Sequence, residues 1–260
     1  MQQSQLNIAL MQSHLVWENP SANRKNFEVK IKNIKKPVDL IILPEMFSTG
    51  FTMNAPLVAE TMNGKTVVWM QQMAAKTNAA LVGSLVIKEN QAYYNRLLFA
   101  LPSGEIVAYD KRHTFTLAGE GKVYAKGTSK RIVNYKGWSI CPQICYDLRF
   151  PVWARNTEYY DVLLYVANWP TSRINAWNAL LKARAIENMC YVVGVNRIGQ
   201  DEKQNQYPGH SAVYNVLGET ITNLKPNQEQ TEIVILEKNH IADNRNKFRF
   251  LDDGDGFEIL

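Results

Sequence analysis

The sequence predicts an α/β fold in which two β-sheets are covered by helices. Apolar runs of strand length alternate with helical stretches along the whole chain. Several consecutive strands are separated only by short turns, so they form hairpins, which argues against one doubly wound parallel sheet. With 260 residues and 46% hydrophobic content, the chain is long and apolar enough for one large domain over residues 1–260 with a substantial core.

The elements follow in order. Residues 6–11 are apolar and read as the first strand. Asn19 caps a helix that Pro20 opens and that runs to about residue 32. Residues 38–43 form a short apolar strand. A helix over about 63–76 places Val67, Met70, Met73 and Ala74 on one face. Residues 80–87, 93–101 and 105–109 are strands, the last two joined by Pro102-Ser103-Gly104. Residues 132–135 and 138–144 pair across Lys136-Gly137, a two-residue turn. Pro151 opens a helix to about residue 158. A strand at 161–167, a helix at 174–188, and strands at 189–195, 210–215 and 232–236 complete the pattern. Tail residues 248–260 mix aromatics with Asp252, Asp253 and Asp255, as either a frayed end or an arm packed on a neighbouring subunit.

Composition narrows the function classes. A charged fraction of 20% with 10% aromatics excludes wholesale disorder. The longest apolar runs are too short to span a bilayer. The first six residues lack the basic start and apolar stretch of a secretory signal, and Cys141, Cys145 and Cys190 are few and odd in number. A reducing cytoplasm without a disulfide framework is therefore expected. The net charge of +5 invites a nucleic-acid reading. The basic residues are scattered, however, with no recognition-helix stripe or zinc-finger spacing, so neither nucleic acid nor membrane is expected as a partner. His14, His113, His210 and His240 are dispersed and lack ligand spacing, so no metal is expected. No Gly-rich phosphate loop is present, so no cofactor is expected.

Three residues stand at strand ends. Cys145 closes the run 138–144 and precedes Tyr146-Asp147-Leu148-Arg149-Phe150-Pro151. A thiol there, beside a helix N-terminus that favours thiolate, suits a nucleophile. Taken alone, it is equally a small apolar core residue. Glu45 follows Leu40-Ile41-Ile42-Leu43-Pro44, where the proline stops the sheet ladder and apolar neighbours surround the carboxylate. That placement suits a general base; the plainer alternative is a solvated loop glutamate. Lys111, in Tyr109-Asp110-Lys111-Arg112-His113, lies just past a strand end, placed either to stabilise an oxyanion or as an ordinary surface lysine.

In this order and these contexts, Glu45, Lys111 and Cys145 resemble the Glu-Lys-Cys triad of the nitrilase superfamily of carbon–nitrogen hydrolases. Further matching strings are Tyr165-Val166-Ala167-Asn168-Trp169-Pro170, Ala183-Arg184-Ala185-Ile186-Glu187-Asn188, Asn196-Arg197-Ile198-Gly199, Gly209-His210-Ser211 and Gly218-Glu219. The resemblance covers nearly the whole chain. Trp17, the string from Pro44 to Phe51 and the string from Cys145 to Trp153 are most similar to the bacterial omega-amidase branch. Nitrilases proper carry Cys-Trp-Glu where this chain has Cys145-Tyr146-Asp147, which argues against a nitrile substrate.

The resemblance implies a four-layer α-β-β-α sandwich, and hydrolysis of the terminal amide of 2-oxoglutaramate or 2-oxosuccinamate through a cysteine thioester. It implies Cys145 as nucleophile, Glu45 as general base and acid, Lys111 with the Tyr146 N–H on the oxyanion, and Glu120 orienting the lysine. Phe115, Tyr146, Arg149, Asn168 and Trp169 become substrate-binding candidates. Arg149 is suited either to a substrate carboxylate or to an ion pair with an acid such as Asp147. Trp169 reads as pocket wall, Asn168 as shaping the turn, and His113 as a hydrogen-bonded structural histidine. Cys141 and Cys190 read as buried. The polar segment 199–207 and the Gly-rich segment 117–122 depart from the family pattern and border the substrate entrance. A homodimer or larger homo-oligomer is implied. Another small-amide hydrolase, a carbamoyl-amine hydrolase and a non-catalytic scaffold are the alternatives. An amide panel separates the first two, and retention of all three triad residues speaks against the third.

Overall fold

The computed structural model describes residues 3–259. Its elements are β1 (Gln5–Gln12), α1 (Pro20–Lys32), β2 (Leu40–Ile42), α2 (Ala55–Val58), α3 (Lys65–Thr77), β3 (Ala80–Glu89), β4 (Ala92–Ala100), β5 (Ile106–Asp110), β6 (Val133–Tyr135), β7 (Trp138–Ile144), α4 (Pro151–Ala154), β8 (Val162–Ala167), α5 (Ile174–Asn188), β9 (Tyr191–Asn196), β10 (Ile198–Gln200), β11 (Gln206–Pro208), β12 (Ala212–Tyr214), β13 (Gln230–Glu237) and α6 (Lys238–Phe248). One sheet has the order β13-β1-β2-β3-β4-β5, a second β12-β9-β8-β7-β6, and β10-β11 form a separate hairpin.

Side-chain alternation builds the layers. Ile8, Leu10, Leu40, Ile42, Ala80, Val82, Leu97 and Phe99 belong to a core shared with Ile140, Ile144, Val166 and Val193 of the second sheet. Their sequence neighbours Ala9, Met11, Ile41, Leu43, Leu81 and Leu98 point the other way. They pack with Phe27 and Ile31 of α1 and with Val67, Met70, Met73 and Ala74 of α3. On the far side of the second sheet, a Cβ on Gly194 would lie 2.5 Å from Leu181 and 2.7 Å from Trp177 of α5. Only a residue without a side chain lets that helix seat so closely. The result is a helix–sheet–sheet–helix sandwich, in keeping with the expected fold class.

Local chemistry accounts for the element ends. Asn19 Oδ1 accepts the Ala22 N–H at 3.0 Å and caps α1, with Pro20 in the first turn. Asn78, in the left-handed region, closes α3. Lys136 and Gly137 both take positive φ, as a tight hairpin turn between Tyr135 and Trp138 requires. The helix opened by Pro151 is a correction: it ends at Ala154, not near residue 158. Arg155 is extended, the Asn156 N–H is taken by Asn188 Oδ1 at 2.9 Å, and Asn156 Oδ1 accepts the Tyr160 N–H at 2.8 Å. A buried asparagine offers the backbone a better alternative than another helical turn.

Three other elements escape the sequence pattern. Helix α2 is a single turn. Helix α6 buries only Ile241 and is anchored by Arg245, which donates to the carbonyls of Met189 and Tyr160. The β10–β11 hairpin runs from Ile198 to Pro208 around the polar segment 199–207, which carries almost no apolar signal. In the tail, Phe250, Phe257 and Ile259 are 55%, 44% and 45% exposed, so this chain alone does not cover them. Leu260 lies outside the described residues.

Candidate active site

The carboxyl ends of the central strands converge on one cavity of about 350 Å³. Glu45, Lys111 and Cys145 line it, with Phe115, Tyr146, Arg149, Asn168 and Trp169. The loops flagged as entrance segments border it through Leu117, Ala118, Asp201, Glu202, Lys203, Asn205 and Tyr207.

Each central residue is held by its own element. Cys145 leaves β7 at φ +43°, in the left-handed region a non-glycine residue enters only when its surroundings enforce it. Asp147 does the enforcing. It is fully buried and accepts the Ile144 N–H at 3.1 Å, which fixes the residue before the thiol. The other end of the turn is tied down by Arg184 Nη2, which donates to the Leu148 carbonyl at 2.7 Å. Glu45 precedes a second such residue, Met46, at φ +43°, whose N–H donates to Ser84 Oγ at 2.8 Å. The Lys111 backbone donates to the Asn95 carbonyl at 3.0 Å and accepts the Gly127 N–H at 2.9 Å. A Cβ on Gly127 would fall 2.0 Å from the Asp110 carbonyl oxygen, so only glycine permits that approach.

The side chains meet in a buried cluster. Lys111 Nζ donates to Glu45 Oε1 at 2.9 Å and to both Glu120 oxygens at 3.0 Å. Lys111 is 1% exposed, and both carboxylates are fully buried. Glu120 also accepts the Phe115 N–H at 2.5 Å. Asn168 closes the other side of Glu45: its N–H donates to Oε2 at 2.8 Å and its side-chain amide to the Glu45 carbonyl at 2.7 Å. Cys145 Sγ lies 4.0 Å from the Asn168 carbonyl oxygen.

Two carboxylates thus share one ammonium, and this sets the electrostatics. Burial opposes the charge on Lys111, but Glu120 and Glu45 outweigh it and hold the ammonium above the usual lysine range. Burial pushes Glu120 up, against the pull of Lys111. Burial and then the Glu45 carboxylate push the Cys145 thiol well above its ordinary range, while Lys111 pulls the other way. This direction runs against the thiolate expectation. The turn after Cys145 is a short 3₁₀ segment, Cys145–Arg149, whose weak N-terminal charge is opposed by burial and then by the Glu45 carboxylate.

The remaining candidates form the cavity walls. The Arg149 guanidinium lies 5.0 Å from the Trp169 ring centroid and makes no salt bridge among the described residues. The ion pair with Asp147 is not formed, because Asp147 is engaged by Ile144, by the Tyr109 hydroxyl at 2.7 Å and by the His113 N–H at 2.9 Å. His113 is the structural histidine anticipated, its Nδ1 2.8 Å from Asp147 Oδ1 and its ring stacked on Phe150 at 3.7 Å. Phe115 packs against Tyr146 at 4.9 Å. Cys141 and Cys190 are buried.

Sequence reasoning missed three contributors. Arg173 lines the cavity with its guanidinium 5.0 Å from the Phe115 ring centroid; nothing distinguishes it in sequence from a surface arginine. Asp147 carries the turn. Asn95 bridges the two carboxylates, and its signal was available: Asn95-Arg96 is a polar pair inside an otherwise apolar strand.

The family sequence pattern for carbon-nitrogen hydrolase matches residues 6–245. This chain belongs to the carbon-nitrogen hydrolase family. The hydrolase is 42% identical over 259 residues to omega-amidase YafV of Yersinia enterocolitica, covering 99% of this chain and 100% of that one. It is 32% identical to the 2-oxoglutaramate amidase of Bacillus subtilis, covering 82% and 84% of the two chains. Its fold superposes with a TM-score of 0.97 on a CN-hydrolase superfamily protein from Xanthomonas campestris, solved with an arsenic adduct in its active site. That protein is 41% identical, with 99% and 100% of the two chains covered. As a carbon-nitrogen hydrolase the protein acts on non-peptide carbon–nitrogen bonds of a small substrate. Among the described residues, no helix is long and apolar enough to cross a membrane, and no three potential ligands cluster for a metal.

Proposed function

We propose that the protein is an omega-amidase, hydrolysing the terminal amide of a 2-oxo acid such as 2-oxoglutaramate or 2-oxosuccinamate. The observation that carries this reading is a base, an ammonium and a thiol lining one cavity, with two guanidinium groups on its wall. Among the described residues, Arg149 and Arg173 have no carboxylate partner, and both line the space a substrate would occupy. A guanidinium fork suits the free carboxylate of an oxo-acid amide. The YafV and 2-oxoglutaramate amidase relatives support the same substrate class.

Attack and proton transfer go together. Cys145 Sγ bonds to the amide carbon while its proton passes to Glu45, and the carbonyl π pair moves to oxygen. Lys111 Nζ and the Tyr146 N–H hold that oxyanion. Glu45 returns the proton to the amide nitrogen as the C–N bond breaks, releasing ammonia and leaving a thioester. Water, losing a proton to Glu45, attacks the thioester carbon, and the thiol leaves with that proton. Two acyl transfers replace one difficult hydrolysis. Glu120 keeps Lys111 in place through both. Phe115, Tyr146 and Trp169 wall the substrate, and Asn168 orients Glu45.

The reading includes a homo-oligomer in the cytoplasm, in which the exposed apolar tail residues meet a neighbour. The deciding experiment measures ammonia release from 2-oxoglutaramate, 2-oxosuccinamate, glutamine and a simple nitrile. Turnover of the oxo-amides well above glutamine, with none of the nitrile, is expected. Preference for glutamine or the nitrile contradicts the assignment.

A further inference from the structure

Lys111 is one cation against two carboxylates, Glu45 and Glu120, and all three groups are buried. Lys111 alone does not neutralise the pair, and like charges this close disfavour a shared ionised state. A fourth side chain enters the same knot. Asn95, on β4, is 1% exposed. Its amide nitrogen donates to Glu45 Oε1 at 2.8 Å and reaches Glu120 Oε1 at 3.4 Å. These are the two oxygens that Lys111 Nζ also approaches, at 2.9 and 3.0 Å. The Asn95 backbone carbonyl accepts the Lys111 N–H, so one residue touches all three partners.

The orientation of the amide is informative. Asn95 Oδ1 is buried and has no hydrogen-bond partner among the described residues. Buried acceptors are nearly always satisfied, so an orphan needs a reason. The reason is the opposite end: turning the amide over would aim Oδ1 at two carboxylate oxygens and remove both donors. The site tolerates an unsatisfied acceptor in order to keep its N–H groups on the glutamates. The charged and titratable groups around this amide are Glu45, Glu120 and Lys111, with Cys145 and Tyr124 coupled to them.

We infer that Asn95 is a positioning residue of the amidase, whose amide nitrogen, donating to Glu45 and reaching Glu120, keeps Glu45 aimed at the thiol beside a second carboxylate. This rests on Glu45 being the proton acceptor. Asn95 does not line the cavity, so its effect falls on the chemical step and not on substrate binding.

The test compares Asn95→Asp with the parent. The substitution keeps the shape but replaces the donors with acceptors. At pH 8, kcat falls about thirtyfold or more, the worth of a charge-assisted hydrogen bond, while KM stays within about threefold, a split expected of an interaction felt only after binding. Activity of the variant then rises as pH falls, because a protonated carboxyl regains one donor; the parent shows no such rise. Should Asn95→Asp fail to fold, Asn95→Ser and Asn95→Ala take its place, and the hydroxyl donor of the serine variant retains several-fold more kcat. Parent-like kcat in Asn95→Asp, a loss carried by KM, or equal loss in the serine and alanine variants overturns the inference. Glu45→Gln is the control. If it is inactive while Asn95→Asp is unimpaired, only this inference fails. If it is itself active, the triad reading fails.

Discussion

The Tyr109 hydroxyl donates to Asp147 Oδ2 at 2.7 Å, and both residues are buried. This one bond ties the strand that delivers Lys111 to the turn that delivers Cys145. The two residues come from different sheets, so their spacing depends on such a cross-link. Trp153 Nε1 donates to the same hydroxyl at 3.0 Å and completes the joint.

Tyr109→Phe removes the donor without changing the ring. It is expected to cost about 1.5–3 kcal/mol of stability, as loss of a hydrogen bond to a buried charged acceptor does. Asp147→Asn is expected to cost more, since it also weakens the hold on the strained Cys145 turn. Urea unfolding followed by circular dichroism measures both. A Tyr109→Phe variant with unchanged stability and turnover would show the joint to be ornamental.

Lys111→Met is expected to lower turnover at least about a hundredfold, the usual cost of an oxyanion donor. An ordinary surface lysine could be removed without harm to the fold. The structure argues otherwise for Lys111, because removal strands two buried carboxylates and costs about 3–5 kcal/mol. The double variant Lys111→Met with Glu120→Gln therefore recovers stability but not activity. Paired melting curves and ammonia assays check it; recovery of turnover along with stability contradicts the role of Lys111.

Replacing Arg149 or Arg173 by Met is expected to raise KM for an oxo-acid amide about tenfold or more, at the scale of a charged hydrogen bond. kcat on a small amide without a carboxylate should barely change. Arg→Lys does not restore binding if the contact is bidentate. Steady-state kinetics on the two substrate types decides. Equal KM effects on both would remove the carboxylate from the argument.

Stability is expected to fall on the alkaline side. Burial raises the tyrosines Tyr109, Tyr160 and Tyr165 well above their usual range and pushes Cys141 up to about 12. In the unfolded chain these groups lose protons from about pH 8.5 for a thiol and about 10 for a phenol. Folded pKa values above unfolded ones give stability that is complete below the unfolded range and lost as pH rises through the folded range. Melting temperature should hold through pH 8 and drop with increasing slope beyond pH 9–10. A flat profile to pH 11 contradicts this.

The parts of the site that sequence made legible are the strand ends. Pro44 after an apolar run and Lys111 and Cys145 at the ends of theirs mark where backbone leaves a sheet, and these are the points that converge. Paired neighbours, by contrast, are written by tertiary structure. Asn95 and Glu120 are 25 residues apart and on different elements; only the fold shows that they share a proton-bearing partner. Helix α4 stops at Ala154 because Asn188, 32 residues from Asn156, captures the chain. Helix-end electrostatics at Cys145 are local in sequence, whereas burial and then Glu45, from another sheet, push the thiol the other way only in the folded chain.

The central claim is a covalent acyl group on Cys145, and intact-protein mass spectrometry after rapid acid quench of a 2-oxoglutaramate reaction tests it most directly. The expected result is a mass gain of substrate minus ammonia, localised by digestion to the peptide carrying Cys145 and absent in Cys145→Ala. Turnover without any adduct, an adduct elsewhere, or an active Cys145→Ala variant would contradict the account.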